Sequence, residues 1–229
     1  MAELTKTDRG RKMAFFGLKT ETFQAPKVKE KLERFVSDFS IEVMPRTAEK
    51  IGDFKDLLPE KTRVYIAHIE GTPIEDMVKT AKRIAEDGFP TMPHFPARII
   101  KDKATLNDWI SRYQGEAGVN QALLLGGGVD KPHGEYESSM DLLETGLFDQ
   151  ANFKDIHVAG HPEGNKDIDP DGSTKNVDAA LQWKQNFKNK TNAKMAITTQ
   201  FAFDAGPIIE WANSIKKAEI DIPIHIGIA

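Results

Sequence analysis

Apolar positions along this chain fall into short, nearly unbroken runs. Between the runs lie longer segments in which apolar residues recur every three to four positions. The runs predict strands at "FSIEVMP" (39–45), "RVYIAHI" (63–69), "FPTMPHF" (89–95), "QALLLGG" (121–127), "DIHVAGH" (155–161), "KMAITTQFAF" (194–203) and "IPIHIGIA" (222–229). The intervening segments 46–58, 73–87, 103–114, 137–147, 173–189 and 205–218 predict helices. In "TPIEDMVKTAKRIAEDG", Thr72 is a candidate cap, Pro73 a first helical residue and Gly88 a stop. An amphipathic helix is also predicted over 27–39, after a mixed-charge arm at 1–23 without clear period. Residues 1–38 thus read as an N-terminal arm and helix, and 39–229 as one strand–helix domain.

Strict alternation of strand and helix implies right-handed crossovers and a parallel sheet. Strands that are apolar throughout are what burial on both faces requires. A repeat near 30 residues admits a (β/α)8 TIM barrel or a doubly wound open sheet, and both gather function at the carboxyl ends of the strands. Seven strands are visible and the sequence stops inside the seventh. A barrel reading therefore expects its last helix and eighth strand beyond Ala229.

Composition changes this picture little. The net charge of −4 offers no basic surplus for nucleic acid or anionic lipid, and no apolar run is long enough to span a bilayer. With no cysteine there is no disulfide, thiolate metal site or thiol nucleophile. These features point to a cytoplasmic protein without nucleic-acid or membrane partners.

Chemistry-bearing residues cluster at the predicted strand ends: Glu42, His68 with Glu70, His94, the run Gly126-Gly127-Gly128, His161 with Glu163, and Thr198-Thr199-Gln200. One such group alone is an ordinary satisfied core residue, but polar tips on strand after strand suggest a shared ligand site. Three successive glycines forfeit chain entropy, so bare backbone is needed there, either for a turn or for a ligand. The six histidines show no HExxH spacing, and GxGxxG, P-loop and GxSxG signatures are absent. A metal held by His94 and His161 across a barrel mouth stays open at this point.

The ordered pieces "IEVMPRT", "MPHFPAR", "LLLGGGVDKPHGEY", "VAGHPEGN", "ITTQFAFD" and "IPIHIGI" together resemble the methylenetetrahydrofolate reductase family of flavin-dependent TIM barrels, over roughly 39–229. That resemblance implies FAD at the barrel mouth, reduced by NADH or NADPH, which then reduces 5,10-methylenetetrahydrofolate to 5-methyltetrahydrofolate. Glu42 matches the family's general acid, for which a raised pKa is expected. His94 matches a histidine lying against the flavin, and Gln200 a pterin contact with Phe203 near it. Lys184, in "LQWKQNF", stands where a basic residue reaches the flavin phosphate, or else is a solvated charge on an exposed helix. His68, Gly126 to Gly128, Glu163 and Asn165 complete the implied cofactor site, and barrels of this kind often form homo-oligomers.

Departures accompany the matches. The glycine run covers the place of a family "RGD" carboxylate, with Asp130 two residues beyond. His161 replaces an aromatic flavin contact, Asn165 replaces a histidine, and "AHIEG" replaces "TYGA". Three alternatives therefore stand beside the reductase: a flavin-free folate-binding barrel or partner subunit, a variant reductase acting on a related one-carbon adduct, and a metal-dependent lyase or hydrolase using His94, His161 and Glu42.

Overall fold

The computed structural model describes residues 25–228, so the arm expected at 1–23 lies outside the described residues. The chain divides into two units, Met1–Asp38 and Phe39–Ala229. In the first, the expected helix is present as α1 (Ala25–Phe35). The second holds seven strands: β1 (Ser40–Val43), β2 (Arg63–Ile66), β3 (Thr91–Pro96), β4 (Gln121–Leu125), β5 (Asp155–Gly160), β6 (Lys194–Ala202) and β7 (Ile224–Ile228). Every neighbouring pair is parallel and the strands lie in chain order, in the α/β pattern of a partial TIM barrel.

Curvature of the sheet follows from what β2 touches. At ~4.8 Å per strand, a flat sheet would hold β2 roughly 14 Å from β5 and roughly 19 Å from β6. Yet the Tyr65 hydroxyl lies 2.7 Å from His157 Nδ1 on β5 and 3.4 Å from Thr198 Oγ1 on β6. Arg63 donates through Nε to Gln121 Oε1 at 2.7 Å and faces Asp155 across 3.8 Å. Only a sheet rolled around these side chains brings them together. Because Arg63, Gln121 and Asp155 each begin a strand, this cluster forms the floor of the half-barrel.

Alternation along the strands produces two cores. Outward residues such as Val64, Ile66, Phe95, Leu124, Val158 and Ile197 pack beneath the helices, while Tyr65, Met92, Leu123 and Leu125 fill the interior. The longer helices form where periodicity predicts them: α3 (Ile74–Glu86), α4 (Lys103–Ala117), α7 (Lys175–Lys188) and α8 (Ala205–Lys217). Asp102 and Asp204 cap α4 and α8, and Gly118, at φ +63°, ends α4. Pro73, rather than Thr72, occupies the cap position of α3, and it offers no side-chain cap.

Two predicted helices are broken instead. Segment 46–58 holds only α2 (Pro45–Ala48) and a 3-10 turn at Phe54–Asp56, which Asp53 restarts by accepting from Lys55 N at 2.8 Å. Segment 137–147 splits into α5 (Ser139–Glu144) and α6 (Leu147–Gln150), separated by Gly146 at φ +69°. Between β6 and β7 the register slips: Thr198 pairs with His225 but Phe201 pairs with Gly227. The bulge drives Gln200 backbone to 2.8 Å from where a Cβ on residue 227 would sit, so glycine is required there. No helix among the described residues is long and apolar enough to cross a membrane.

His157 is a strongly perturbed group of the barrel interior. Burial, the Arg63 guanidinium and His225 (rings 4.7 Å apart) push its pKa down to about 3. Arg63 Nη1 lies 3.5 Å from Nε2, so Nε2 is the acceptor and Nδ1 carries the hydrogen toward Tyr65 and Thr198. In the unfolded chain this ring binds a proton below roughly pH 6.5, whereas the folded ring does not until near pH 3. Stability is therefore fully present above pH 7 and falls with pH at up to about 1.4 kcal/mol per unit from this group. Urea unfolding between pH 4 and 7 should show a shallower decline in His157→Gln than in the parent.

Candidate functional site

Strand alternation turns Glu42 and His94 toward the interior of the sheet, at its carboxyl end. Glu42 stands opposite Tyr65 in register, and His94 lies two residues beyond Met92, the partner of Tyr65 on β3. The two side chains meet, His94 Nε2 lying 3.2 Å from Glu42 Oε2. The contact is an ion-pair approach without a well-aligned hydrogen bond, and Nε2 has no other partner. Tyr65 packs edge-on against the His94 ring, with centroids 6.4 Å apart.

The pair corrects one expectation. Rather than being raised, the Glu42 pKa is held below the usual carboxylate range. The adjacent His94 is the chief cause and outweighs burial, because the Glu42 side chain remains 58% exposed. The free protein therefore presents a carboxylate at this position.

Around the pair opens a cleft of about 400 Å³, whose wall includes Met44, Thr47, His68 and Ile69. His68 is buried, stacked on Trp109 of α4 with centroids 4.8 Å apart. Its Nε2 lies 3.0 Å from the Thr72 carbonyl, which only accepts, so Nε2 carries the hydrogen. Burial lowers its pKa and keeps the ring neutral, leaving Nδ1 as an unpartnered acceptor.

Next along the rim is the glycine tip of β4. Gly127 alone demands glycine: its φ is +98°, and a Cβ there would stand 3.1 Å from Pro96 Cβ. Gly128 has open space, and the closest atom to a Cβ on Gly126 is the Glu137 carbonyl oxygen at 3.5 Å. Arg98, passed over by the sequence reading, anchors this tip. Its backbone N–H donates to Gly126 O at 2.9 Å and its guanidinium to the carbonyls of Val129 and Glu137. Further along the same loop, His133 reaches Glu70 across 3.0 Å.

Beyond β5 lies a separate cluster. His161 faces Lys184 and contacts Asn165 Nδ2 at 3.5 Å, while Glu163 is exposed. Lys184 is not a solvated surface charge. Only 5% exposed, it donates from Nζ to Ala159 O at 2.9 Å, tying α7 to the end of β5. Burial pushes the Lys184 pKa down to about 8, while burial and the neighbouring Lys184 push that of His161 down to about 4. The adjoining cavity, about 30 Å³ between Gly160, Leu181 and Trp211, has room for a water or two. Asp169, also missed, is buried and accepts from the N–H groups of Asn176 and Val177, closing the start of α7.

At the tip of β6, Gln200 is exposed and Phe203 is 87% exposed, its ring 5.7 Å from that of Phe201. The structure thus joins Glu42, His94 and His68 in one cleft and places His161, Asn165 and Lys184 in another cluster. No hydrogen bond, ion pair or ring contact among the described residues links Gln200 or Phe203 to either. Nor does any group of three His, Asp or Glu side chains among them gather as a metal site, since His161 is engaged away from Glu42 and His94.

Comparison with known proteins gives an extensive family match. The family model described as methylenetetrahydrofolate reductase covers residues 29–229. Among solved structures, a mandelate racemase/muconate lactonizing enzyme from Bordetella bronchiseptica RB50 aligns at 13% identity and a TM-score of 0.46, over 82% of this chain and 45% of that one. The chain thus spans under half the length of that relative. A metagenomic short-chain oxidoreductase in complex with NADP aligns at 12% identity and a TM-score of 0.37, over 82% and 96% of the two chains. Neither likeness is close enough to bear on fold or function.

The Lys184 environment yields a stability test. A lysine whose pKa falls on folding costs stability wherever the unfolded chain holds it charged, fully below pH 8 and progressively less toward pH 10.5. Lys184→Met should therefore raise unfolding free energy at pH 7, on the order of 1–3 kcal/mol. In urea melts between pH 7.5 and 10, the parent should gain stability relative to the variant.

Proposed function

Because the chain belongs to the methylenetetrahydrofolate reductase family over residues 29–229, we propose that it reduces 5,10-methylenetetrahydrofolate to 5-methyltetrahydrofolate, with Glu42 as the acid. The observation that carries this reading is the Glu42–His94 pair at the edge of the β1–β3 cleft. Opening the bridged ring breaks a C–N bond, and the departing nitrogen must take a proton before the methylene carbon accepts a hydride. Glu42 is exposed enough to reach that nitrogen. A folate ring laid over it would strip its water and favour the protonated carboxyl. A cleft of about 400 Å³ lies within the usual range for one small heterocyclic ligand.

FAD and NADH or NADPH enter through the family reading. The ring side fits such a group: His94 lines the cleft, His68 offers an unpartnered acceptor, and the bare backbone of Gly126 to Gly128 adjoins along the rim. The phosphate side does not fit, because Lys184 is turned inward onto Ala159 O beside a cavity far too small for a phosphate. When bound, FAD would supply the hydride, taken from NADH or NADPH. This chain's own residues would orient the folate, exclude water and deliver the proton.

The inward Lys184 favours a second reading, a folate-binding barrel or partner subunit without flavin. The absorbance of gently purified protein separates the two. A flavin spectrum supports the first, and colourless protein that binds tetrahydrofolate but no added FAD supports the second.

Glu42→Gln should lower folate reduction by roughly 10²- to 10⁴-fold, the usual contribution of a positioned acid. Oxidation of NADH or NADPH with an artificial electron acceptor should persist. Steady-state assays of both reactions on one preparation check this, and equal loss of the two would remove Glu42 from the proton step.

A further inference from the structure

An acid that rests as a carboxylate must obtain its proton before it can give one, and the Glu42 cleft holds a nearby source. We propose that His94 is the positioning residue that stores, on Nε2, the proton that Glu42 passes to the substrate, so that the two side chains work as a single acid. The inference rests on the folate reading above and adds to it the origin of the proton.

Geometry carries the argument. Nε2 and Oε2 face each other at 3.2 Å, an ion-pair approach close enough for a proton held on Nε2 to pass to Oε2. The His94 ring is buried against Tyr65, and its Nε2 meets no acceptor other than the carboxylate. Neighbouring groups leave the pair undisturbed. Tyr65 from β2 presents its ring edge and sends its hydroxyl to His157. His68 is neutral, and its Nε2 hydrogen is spent on Thr72 O. From β4, the register partner of His94 is the apolar Leu123.

The step balances simply. In the resting pair the proton sits on Nε2 and the half-exposed Glu42 carboxylate keeps its water. Covering the cleft with a folate ring removes that water, and in the drier site the neutral pair becomes favoured over the ion pair. The proton moves from His94 Nε2 to Glu42 Oε2. Glu42 then gives it to the ring nitrogen whose bond to the methylene carbon breaks, and that nitrogen keeps the bonding electrons. His94 is left as neutral imidazole and regains a proton from solvent once product departs.

His94→Gln and the Glu42→Gln/His94→Gln double variant, each compared with the parent, test the proposal. Carbon-13 NMR of the Glu42 carboxyl should show it titrating at higher pH in His94→Gln than in the parent, because its chief stabiliser is gone. Folate reduction by His94→Gln at pH 7 should fall on the order of a hundredfold and recover toward acid pH, where Glu42 binds its own proton. The double variant should be no slower than Glu42→Gln alone. An unchanged Glu42 titration, a parental pH profile in His94→Gln, or losses that multiply in the double variant would each overturn the pairing. The titration needs no turnover, so it decides the pairing even if the parent proves inactive on methylenetetrahydrofolate, the outcome that sinks the folate reading itself. If His94→Gln does not fold, His94→Asn takes its place.

Discussion

The reach of two β2 side chains across the interior governs this structure. Arg63 and Tyr65 touch Gln121, Asp155, His157 and Thr198, which in a flat sheet would stand two to four strand spacings away. Rolling the sheet is the condition for satisfying these polar groups away from water, and an unsatisfied one costs about 1–3 kcal/mol. The same roll tilts the carboxyl tips of β1 and β3 toward a common space. Without it, Glu42 and His94 would sit on a flat face with Tyr65 standing between them. The floor of the half-barrel thus determines the geometry of its mouth.

Burial treats the ionisable groups of this interior unequally. His157, His161 and Lys184 all shift toward their neutral forms, because each is enclosed and none forms an ion pair with a carboxylate among the described residues to offset the cost. Glu42 shifts the opposite way, toward its charged form, because it keeps both water and His94. Charge is therefore favoured on Glu42 at the β1–β3 side of the mouth and disfavoured around β5 and α7, although Lys184, its pKa at about 8, still carries its proton at neutral pH. That asymmetry separates the Glu42 cleft from the cluster that ties α7 to the sheet.

Much of the fold was legible as pattern. Apolar runs marked all seven strands, and three-to-four periodicity marked α3, α4, α7 and α8, because burial on two faces or one face leaves a one-dimensional trace. Breaks such as Gly146 and Asp53 were less visible, since a helix end depends on local hydrogen bonding as much as on period. The glycine run announced a need for bare backbone, yet only Gly127 meets a conformational demand, imposed by Pro96 from another strand. Lys184 misled because a lysine suggests solvent. Its spacing from Val177 and Leu181, four and then three residues, already placed it on the buried face of α7.

The sequence by itself determined the order of strands and helices, the parallel sheet, the family to which the chain belongs and the strand tips where chemistry would gather. The elements and their order follow from spacing, and the family from the resemblance of ordered segments, neither of which needs knowledge of distant partners. Tertiary structure alone decided that Glu42 is ionised, that His94 faces it, that His161 and Lys184 lie apart from them and that Arg98 holds the glycine tip. Each of these depends on groups 25 to more than 50 residues away in the chain, whose fields and hydrogen bonds act only after the sheet has curled. The protonation state of a side chain is a property of its surroundings, and the surroundings are made by folding.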